Sequence, residues 1–284
     1  MKMAYEIYPF IVNRFRPKNM LHTYGKNSYV LVTGGSYGIG FEYAKQFAAF
    51  GFNIILVART TSKLEEAKKE LKARYPRIDV RILVKDFTKS LENGFFQEFN
   101  ELRDGLDISI VINNVGIAGY KLNYEGLFSK LDLKSLYDTI AVNTTSQVAL
   151  HRIFTSSMEK RASKSAFIDL SSCMKWIYLP IGNVYSSTKD FNNYITVSLG
   201  TRNTKSKIDY LSHVCGATET PAFQTIMKDN TFKSTAVSTN HVVSETLKCL
   251  GTVVSTRGHY SHIFGGLFME LMGEDLPETT FAFF

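Results

Sequence analysis

The chain has 284 residues, 44% of them hydrophobic and 21% charged, and a formal net charge of +7. That length and balance suit one large α/β domain with a sizeable core and exclude a disordered chain. The basic residues are spread along the chain without a long Lys/Arg run, which argues against nucleic acid and matches anionic substrates, cofactors or lipid surfaces better.

Residues 1–27 read as a basic and apolar arm. Lys2, Arg14, Arg16, Lys18 and Lys26 face a single acid, Glu6, and are mixed with Tyr5, Ile7, Phe10, Ile11 and Phe15. An interfacial anchor, a mitochondrial targeting region, a partner-binding arm and an arm packed on its own domain all fit this composition. Tyr8-Pro9-Phe10-Ile11-Val12 is too short an apolar core for a secretory signal. No segment supplies the roughly eighteen uninterrupted apolar residues of a membrane span.

Tyr29 to Val32 is a short β-branched run, hence a buried strand, and it leads into Thr33-Gly34-Gly35-Ser36-Tyr37-Gly38-Ile39-Gly40. Ile39, Tyr43, Phe47 and Phe50 then recur at helical spacing, and Gly51 is placed to end the helix. Asn53 to Val57 is the next strand. Strand, glycine-rich turn, helix and strand form a βαβ unit of about thirty residues. In that setting the glycines let the backbone turn tightly and approach a pyrophosphate resting on the N–H groups that open the helix.

The pattern repeats. Thr61 or Ser62 is placed to cap a helix with Leu64, Ala67 and Leu71 inward. Val80 to Val84 is the third strand, ending in Lys85-Asp86-Phe87, and a helix through Phe95, Phe96 and Phe99 follows. Ile108 to Ile112 is the fourth strand and runs into Asn113-Asn114-Val115-Gly116. A helix around Leu136 to Phe154 carries Asn143, and Ala166 to Leu170 is the fifth strand, ending at Ser171-Ser172. The next helix runs to about Leu199, and Ile208 to Val214 is the sixth strand. Such alternation predicts a parallel sheet with helices on both faces, whose ligands bind beyond the carboxyl ends of the strands.

On the helix after the fifth strand, Tyr185 and Lys189 lie one turn apart on the same face. An ammonium beside a phenol favours the phenolate, which suits Tyr185 for proton exchange with a substrate oxygen. Ser172 is placed to hydrogen-bond the same oxygen. The spacing alone is common in helices; the nucleotide-binding surroundings give it meaning.

The motif set resembles the short-chain dehydrogenase/reductase family over about residues 28 to 221. Thr33 to Gly40 matches the family's Thr-Gly-x-x-x-Gly-x-Gly cofactor turn, Asn113 to Gly116 its Asn-Asn-Ala-Gly segment, and Asn143, Ser172, Tyr185 and Lys189 its catalytic tetrad. The resemblance implies a single Rossmann-type, doubly wound parallel sheet in three α/β/α layers. It also implies an oxidoreductase in which Ser172 polarises a carbonyl, Tyr185 delivers the proton, Lys189 tunes Tyr185 and holds the ribose, and Asn143 keeps a proton path. Gly34, Ser36, Tyr37, Gly38, Ile39, Gly40, Asp86, Asn114, Gly116, Tyr185, Lys189 and Thr220 are the implied cofactor contacts. Asp86 is equally placed as a helix N-cap.

The segments Phe15-Arg-Pro-Lys, Ala58-Arg59-Thr60, Asp86-Phe87 and Val142-Asn143-Thr144-Thr145-Ser146 are similar to one branch of that family. This branch holds the very-long-chain 3-oxoacyl-CoA reductases and the related 17β-hydroxysteroid dehydrogenases, which implies a lipid-like ketone substrate and the endoplasmic-reticulum membrane. A mitochondrial address follows from the basic N-terminus instead. Ala58 stands where a carboxylate would favour NAD, and Arg59 can clamp a 2′-phosphate, so NADPH is expected ahead of NADH. Tyr37, where many NADPH enzymes place a second base, weakens that preference.

Three departures stand out. Cys173-Met174-Lys175-Trp176 replaces the small residues usual after the catalytic serine, Cys215-Gly216 replaces a Pro-Gly and is expected to loosen the cover over the nicotinamide, and no hydrophobic span precedes the domain. Three cysteines, Cys173, Cys215 and Cys249, fit a reducing compartment without a disulfide framework. His259 and His262 lack a metal-type partner spacing and read as structural.

The domain itself is expected over 28–258, with a substrate loop at about 221–238 and a C-terminal helix and apolar tail over 259–284. Phe264, Leu267, Phe268, Leu271 and Met272 form an apolar stripe on that helix, and Phe281 to Phe284 suit a partner surface, a second copy of the chain or a larger assembly. Core or dimer packing is the default reading of the stripe, and substrate-tunnel lining or peripheral membrane contact is the other. The competing function is a non-catalytic subunit that uses the fold as a scaffold.

Overall fold

The computed structural model describes residues 19–118, 128–176, 182–202, 206–221 and 236–272, together with 8, 11 and 12; for 202 and 267–272 it describes the backbone alone. Most of the basic arm, most of the 221–238 loop and the tail from 273 lie outside the described residues.

In chain order the elements are α1 (Met20–Tyr24), β1 (Tyr29–Thr33), α2 (Gly38–Phe50), β2 (Asn53–Ala58), α3 (Thr61–Arg74), β3 (Val80–Val84), α4 (Gln97–Gly105) and β4 (Ile108–Asn113). Then come α5 (Leu133–Ile140), a π-helical turn (Ala141–Thr145), α6 (Ser146–Glu159), β5 (Ser165–Ser172), a 3-10 turn (Cys173–Trp176), α7 (Asn183–Arg202) and β6 (Ile208–Cys215). The chain closes with β7 (Thr218–Glu219), β8 (Val237–Ser238), α8 (Thr239–Cys249), β9 (Ser255–Thr256) and α9 (Tyr260–Met272). One seven-stranded sheet has the order β3-β2-β1-β4-β5-β6-β9, and every pairing in it is parallel. The doubly wound α/β architecture expected from the alternation is what forms.

The strands are apolar on both faces because both faces are covered. In β1, Val30 and Val32 pack into a layer with Tyr43, Phe47, Leu64 and Val243, while Tyr29 and Leu31 point the other way, to Phe99, Leu150 and Phe154. Each such buried side chain contributes roughly 1.5–3 kcal/mol, far more than any surface ion pair of the chain. Reversal of strand order about β1 and β4 opens a crevice beyond their carboxyl ends, where the glycine turn lies.

Several local expectations are corrected. Thr60, in extended conformation, is the N-cap of α3 and makes no side-chain cap bond; Thr61 is already helical. Phe95 and Phe96 precede α4 and stack with Phe87 and Phe99 as an aromatic cluster. The helix around Leu136 to Phe154 is two α-helices joined by the π-turn. A seventh strand, β9, extends the sheet past β6.

Part of the arm belongs to the core. Met20 and Tyr24 are buried, and Tyr24 Oη donates to Asp209 Oδ2 at 2.9 Å across 185 positions of sequence. Among the described residues no helix is long and apolar enough to cross a membrane.

Candidate active site

The glycine turn hangs on two side chains. Thr33 Oγ1 donates to Ile112 O (3.2 Å) and accepts from the N–H groups of Asn114 (3.0 Å) and Val115 (3.1 Å), tying the end of β1 to the end of β4. Asn114 Nδ2 donates to Thr33 O (2.8 Å) and Gly34 O (3.2 Å). Gly34, at φ 63°, leaves no space for a side chain: a Cβ there would lie 2.6 Å from that amide nitrogen. A Cβ on Gly40 would overlap the same amide. Asn114 therefore supports the turn from beneath.

Gly38 is different. A Cβ on it would meet only the Thr220 side chain, the nearest atom at 3.7 Å, and its φ is 62°. Tyr37, the N-cap of α2, makes no side-chain cap bond, and no acid occupies the first turn. The opening N–H groups lie at the positive end of a 13-residue helix, with no side-chain cap from Tyr37 and, among the described residues, only Thr220 within 4 Å of the Gly38 Cβ position. This open cradle fits a dinucleotide pyrophosphate. Ser36, Tyr37 and Gly38 also line a cleft of about 550 Å³ beside the turn, together with Lys63, Glu66 and Glu70 of α3. Lys63 Nζ stands 4.9 Å over the Tyr37 ring. Ile39 packs against the core.

Arg59 is exposed at the end of β2, directly before α3. Asp86, at the end of β3, accepts from Thr88 N (3.1 Å) and Thr88 Oγ1 (3.0 Å), so its capping role is realised.

Asn143, Tyr185 and Lys189 come together between the π-turn and α7. Asn143 is 1% exposed and lies in the π-turn, a widened turn frequent at functional sites. Its Oδ1 accepts from Ile117 N (2.8 Å), and its Nδ2 donates to Ile117 O (2.9 Å) and Thr188 Oγ1 (2.9 Å). Thr188 Oγ1 in turn donates to Tyr185 O (2.7 Å). Lys189 Nζ donates to Leu170 O (3.0 Å) and lies 5.8 Å from the centre of the Tyr185 ring. Burial lowers the Lys189 pKa from 10.5 to about 8. A Cβ on Gly116 would sit 3.0 Å from Lys189 Nζ and 3.5 Å from Asn143 Oδ1, so this glycine makes room for both groups. Ser172 Oγ accepts from Met174 N (3.2 Å), which leaves the hydroxyl proton to donate.

Beneath this group lies a network that the sequence reading missed. Asp169, fully buried on β5, accepts from Asn113 Nδ2 (2.6 Å), Thr196 Oγ1 (2.6 Å) and His151 Nε2 (2.9 Å). It fastens β4, α6 and α7 to β5. Sequence offered a weak signal, an acid inside an apolar strand. Thr188 and Lys63 were also missed, and each lies close to a residue that had been singled out.

The bulky turn after Ser172 has a structural partner. Trp176 takes the Arg257 guanidinium at 4.3 Å and Lys175 Nζ at 5.2 Å over its ring, and the α9 backbone passes beside it at Gly266. Among the described residues no group of three or more His, Cys, Asp or Glu side chains is arranged to hold a metal ion.

A family model described as short chain dehydrogenase matches residues 28–231. The chain belongs to the short chain dehydrogenase family. Within it, the chain is similar to very-long-chain 3-oxoacyl-CoA reductases. It is 34% identical over 185 residues to that of Ajellomyces capsulatus, covering 65% of this chain and 53% of the relative. It is 31% identical over 174 residues to that of Caenorhabditis briggsae, covering 61% and 54%. The chain thus spans about half the length of the curated relatives it matches. Among solved structures, a 7beta-hydroxysteroid dehydrogenase superposes with a TM-score of 0.76 at 19% identity, covering 88% of this chain and 93% of the other. A short-chain dehydrogenase from Sphingobium yanoikuyae in complex with NADPH gives 0.70 at 22% identity, covering 88% and 97%. These likenesses carry the fold.

Proposed function

We propose that this short-chain dehydrogenase is an NADPH-dependent reductase that converts a ketone to a secondary alcohol, with a 3-oxoacyl-CoA or steroid-like lipid as substrate. The observation that carries the reading is the meeting of Lys189 and Asn143 at Gly116, with the Tyr185 ring beside Lys189, next to a glycine turn whose helix opening has no side-chain cap from Tyr37. The nucleotide supplies a hydride when bound. Tyr185 Oη gives a proton to the substrate oxygen, Ser172 Oγ–H orients that oxygen, and the Lys189 ammonium stabilises the tyrosine oxygen as its proton leaves. Asn143 positions the chain through Ile117 and Thr188.

Cofactor preference rests on Arg59 and Lys63. The ammonium over Tyr37 supplies the second positive charge that the tyrosine withholds, in a cleft that Glu66 and Glu70 of the same helix also line. Arg59→Ala is expected to weaken NADPH far more than NADH; equal losses would show that Arg59 does not read the 2′-phosphate. The names of the relatives support the acyl-CoA reading, and the same resemblance supports the endoplasmic-reticulum membrane as the compartment. The deciding assay is NADPH oxidation with 3-oxoacyl-CoA and steroid ketones, comparing wild type with Tyr185→Phe. No oxidation by the wild type across a broad carbonyl panel overturns the reading in favour of a scaffold.

A further inference from the structure

The segment after β6 runs from Gly216 to Thr220 and returns to the glycine turn, where the Thr220 side chain lies next to the Cβ direction of Gly38. In this chain it begins with Cys215-Gly216, without the conformational restriction of a proline. What fixes it comes from the far end of the molecule. His262, on the first turn of α9, faces the segment with both ring nitrogens. Gly216 N donates to His262 Nδ1 at 3.4 Å, and His262 Nε2 donates to Ala217 O at 2.8 Å. Ala217 O also accepts from Val237 N at 3.0 Å, the first rung joining this segment to β8. A Cβ on Gly216 would lie 2.6 Å from His262 Cδ2 and 2.7 Å from Cγ, so the ring sits directly against the glycine backbone. Cys215 Sγ and Thr218 Oγ1, 3.1 Å apart, brace the same corner.

We infer that His262 is a positioning residue for the cofactor: it takes the place of a proline as the lock on the segment that roofs the nicotinamide end of the crevice. The inference rests on the dinucleotide reading of the crevice given above. The Gly216 N–H faces Nδ1 and the Ala217 carbonyl faces Nε2, a pair that the neutral tautomer with hydrogen on Nε2 satisfies; the Arg257 main chain also bonds the ring. A charged imidazole carries a hydrogen on each nitrogen and leaves Gly216 N–H without its acceptor. The lock is therefore complete when His262 is neutral, and protonation loosens it by removing the Gly216 bond while the bond to Ala217 O remains.

The surroundings favour the neutral form. Burial lowers the His262 pKa below 6.5, against the opposing effect of hydrogen bonds to the main chain of Ala217 and Arg257. The titratable neighbours are His259, with its ring 6.0 Å away, and His213 on β6, which is buried, bonded to Tyr43 Oη and held neutral with a pKa of about 3. His241 and Glu245 on α8 act on His259 rather than on His262 itself. The Arg257 guanidinium is turned onto Trp176. Because the folded pKa is depressed, the lock is complete above the unfolded value of about 6.5 and loosens as pH falls through the folded value.

The test uses the full chain, with NADPH and NADP binding followed by nucleotide fluorescence and calorimetry, and amide exchange of residues 216–218 without nucleotide. In His262→Ala, NADPH affinity is expected to fall roughly tenfold and exchange in the segment to rise by a similar factor, the worth of about one or two hydrogen bonds. The NADPH KM rises while kcat changes little. His262→Gln, whose amide can accept from Gly216 N–H or donate to Ala217 O at any pH, should bind NADPH at neutral pH nearly as wild type does and should lack the loss of affinity that wild type shows on acidification. This second variant keeps the test decisive if the alanine variant misfolds. Unchanged affinity and exchange in His262→Ala, or an acid limb retained in His262→Gln, overturn the proposal. Segment exchange set by His262 in a wild-type protein that binds neither nucleotide overturns the cofactor reading and, with it, the positioning role, while the lock itself stands.

Discussion

Tyr185 and Lys189 are one turn apart on α7, yet their surroundings differ: the tyrosine is half-buried and the lysine is enclosed. On the proposed mechanism, Tyr185→Phe removes the proton donor and is expected to lower kcat by roughly 10²–10⁴-fold with little change in nucleotide affinity, read by steady-state kinetics beside a binding titration. Lys189 sets the pH window. Its pKa of about 8 means that the ammonium is lost above that pH. The kcat/KM for ketone reduction by the free enzyme should therefore fall on the alkaline side of about 8, and Lys189→Arg should move that limb upward. The sign for stability is opposite. The folded pKa is depressed from 10.5 to about 8, so the unfolded chain binds the extra proton between those values and stability rises with pH across the window. Lys189→Met, free of this penalty, should gain most over wild type below about pH 8 in urea titrations, with the gain shrinking toward pH 10.5.

At the scale of elements, β5 carries the heaviest polar duty. Asp169 accepts three hydrogen bonds in a place with no solvent, from groups on β4, α6 and α7. Asp169→Ala strands those donors and is expected to cost roughly 3–5 kcal/mol of unfolding free energy in urea, more than an ordinary surface change by an order of magnitude. Much of this layer was legible from the chain: six apolar runs, each read as a strand, all lie in the sheet, because both-face burial writes a continuous apolar signal. β9 was not, since Ser255–Thr256 is only two residues long and polar. The π-turn was hidden too. Ala141 to Thr145 reads as plain helix, and the extra residue is revealed only where Asn143 reaches Ile117 and Thr188. The tetrad and the glycine turn were readable because each is local or has fixed order in the chain. Asp169, Lys63 and His262 were not, because their partners are brought to them by the fold.

For the whole molecule, the unanswered surface is on α5, α6 and α7. Leu133, Tyr137 and Ile140 recur along one face of α5 and are exposed, as are Val148 on α6 and Phe191 and Tyr194 on α7, which packs against α5. We propose that this apolar area is a contact between copies of the chain. Tyr194→Glu combined with Phe191→Glu should shift the mass measured by light scattering toward the monomer; an unchanged mass would place the contact elsewhere. Elsewhere α1 carries Tyr24, which is buried in the core and bonded to Asp209, far along the chain. During synthesis α1 must wait, without its partner, until the sixth strand has been made. β1 can pair with β2 and then β4 earlier, but Tyr24 is secured only once Asp209 has been added. Nascent chains stopped short of Asp209 should thus expose Tyr24 and the residues around it to protease, and chains extended well beyond β6 should protect them.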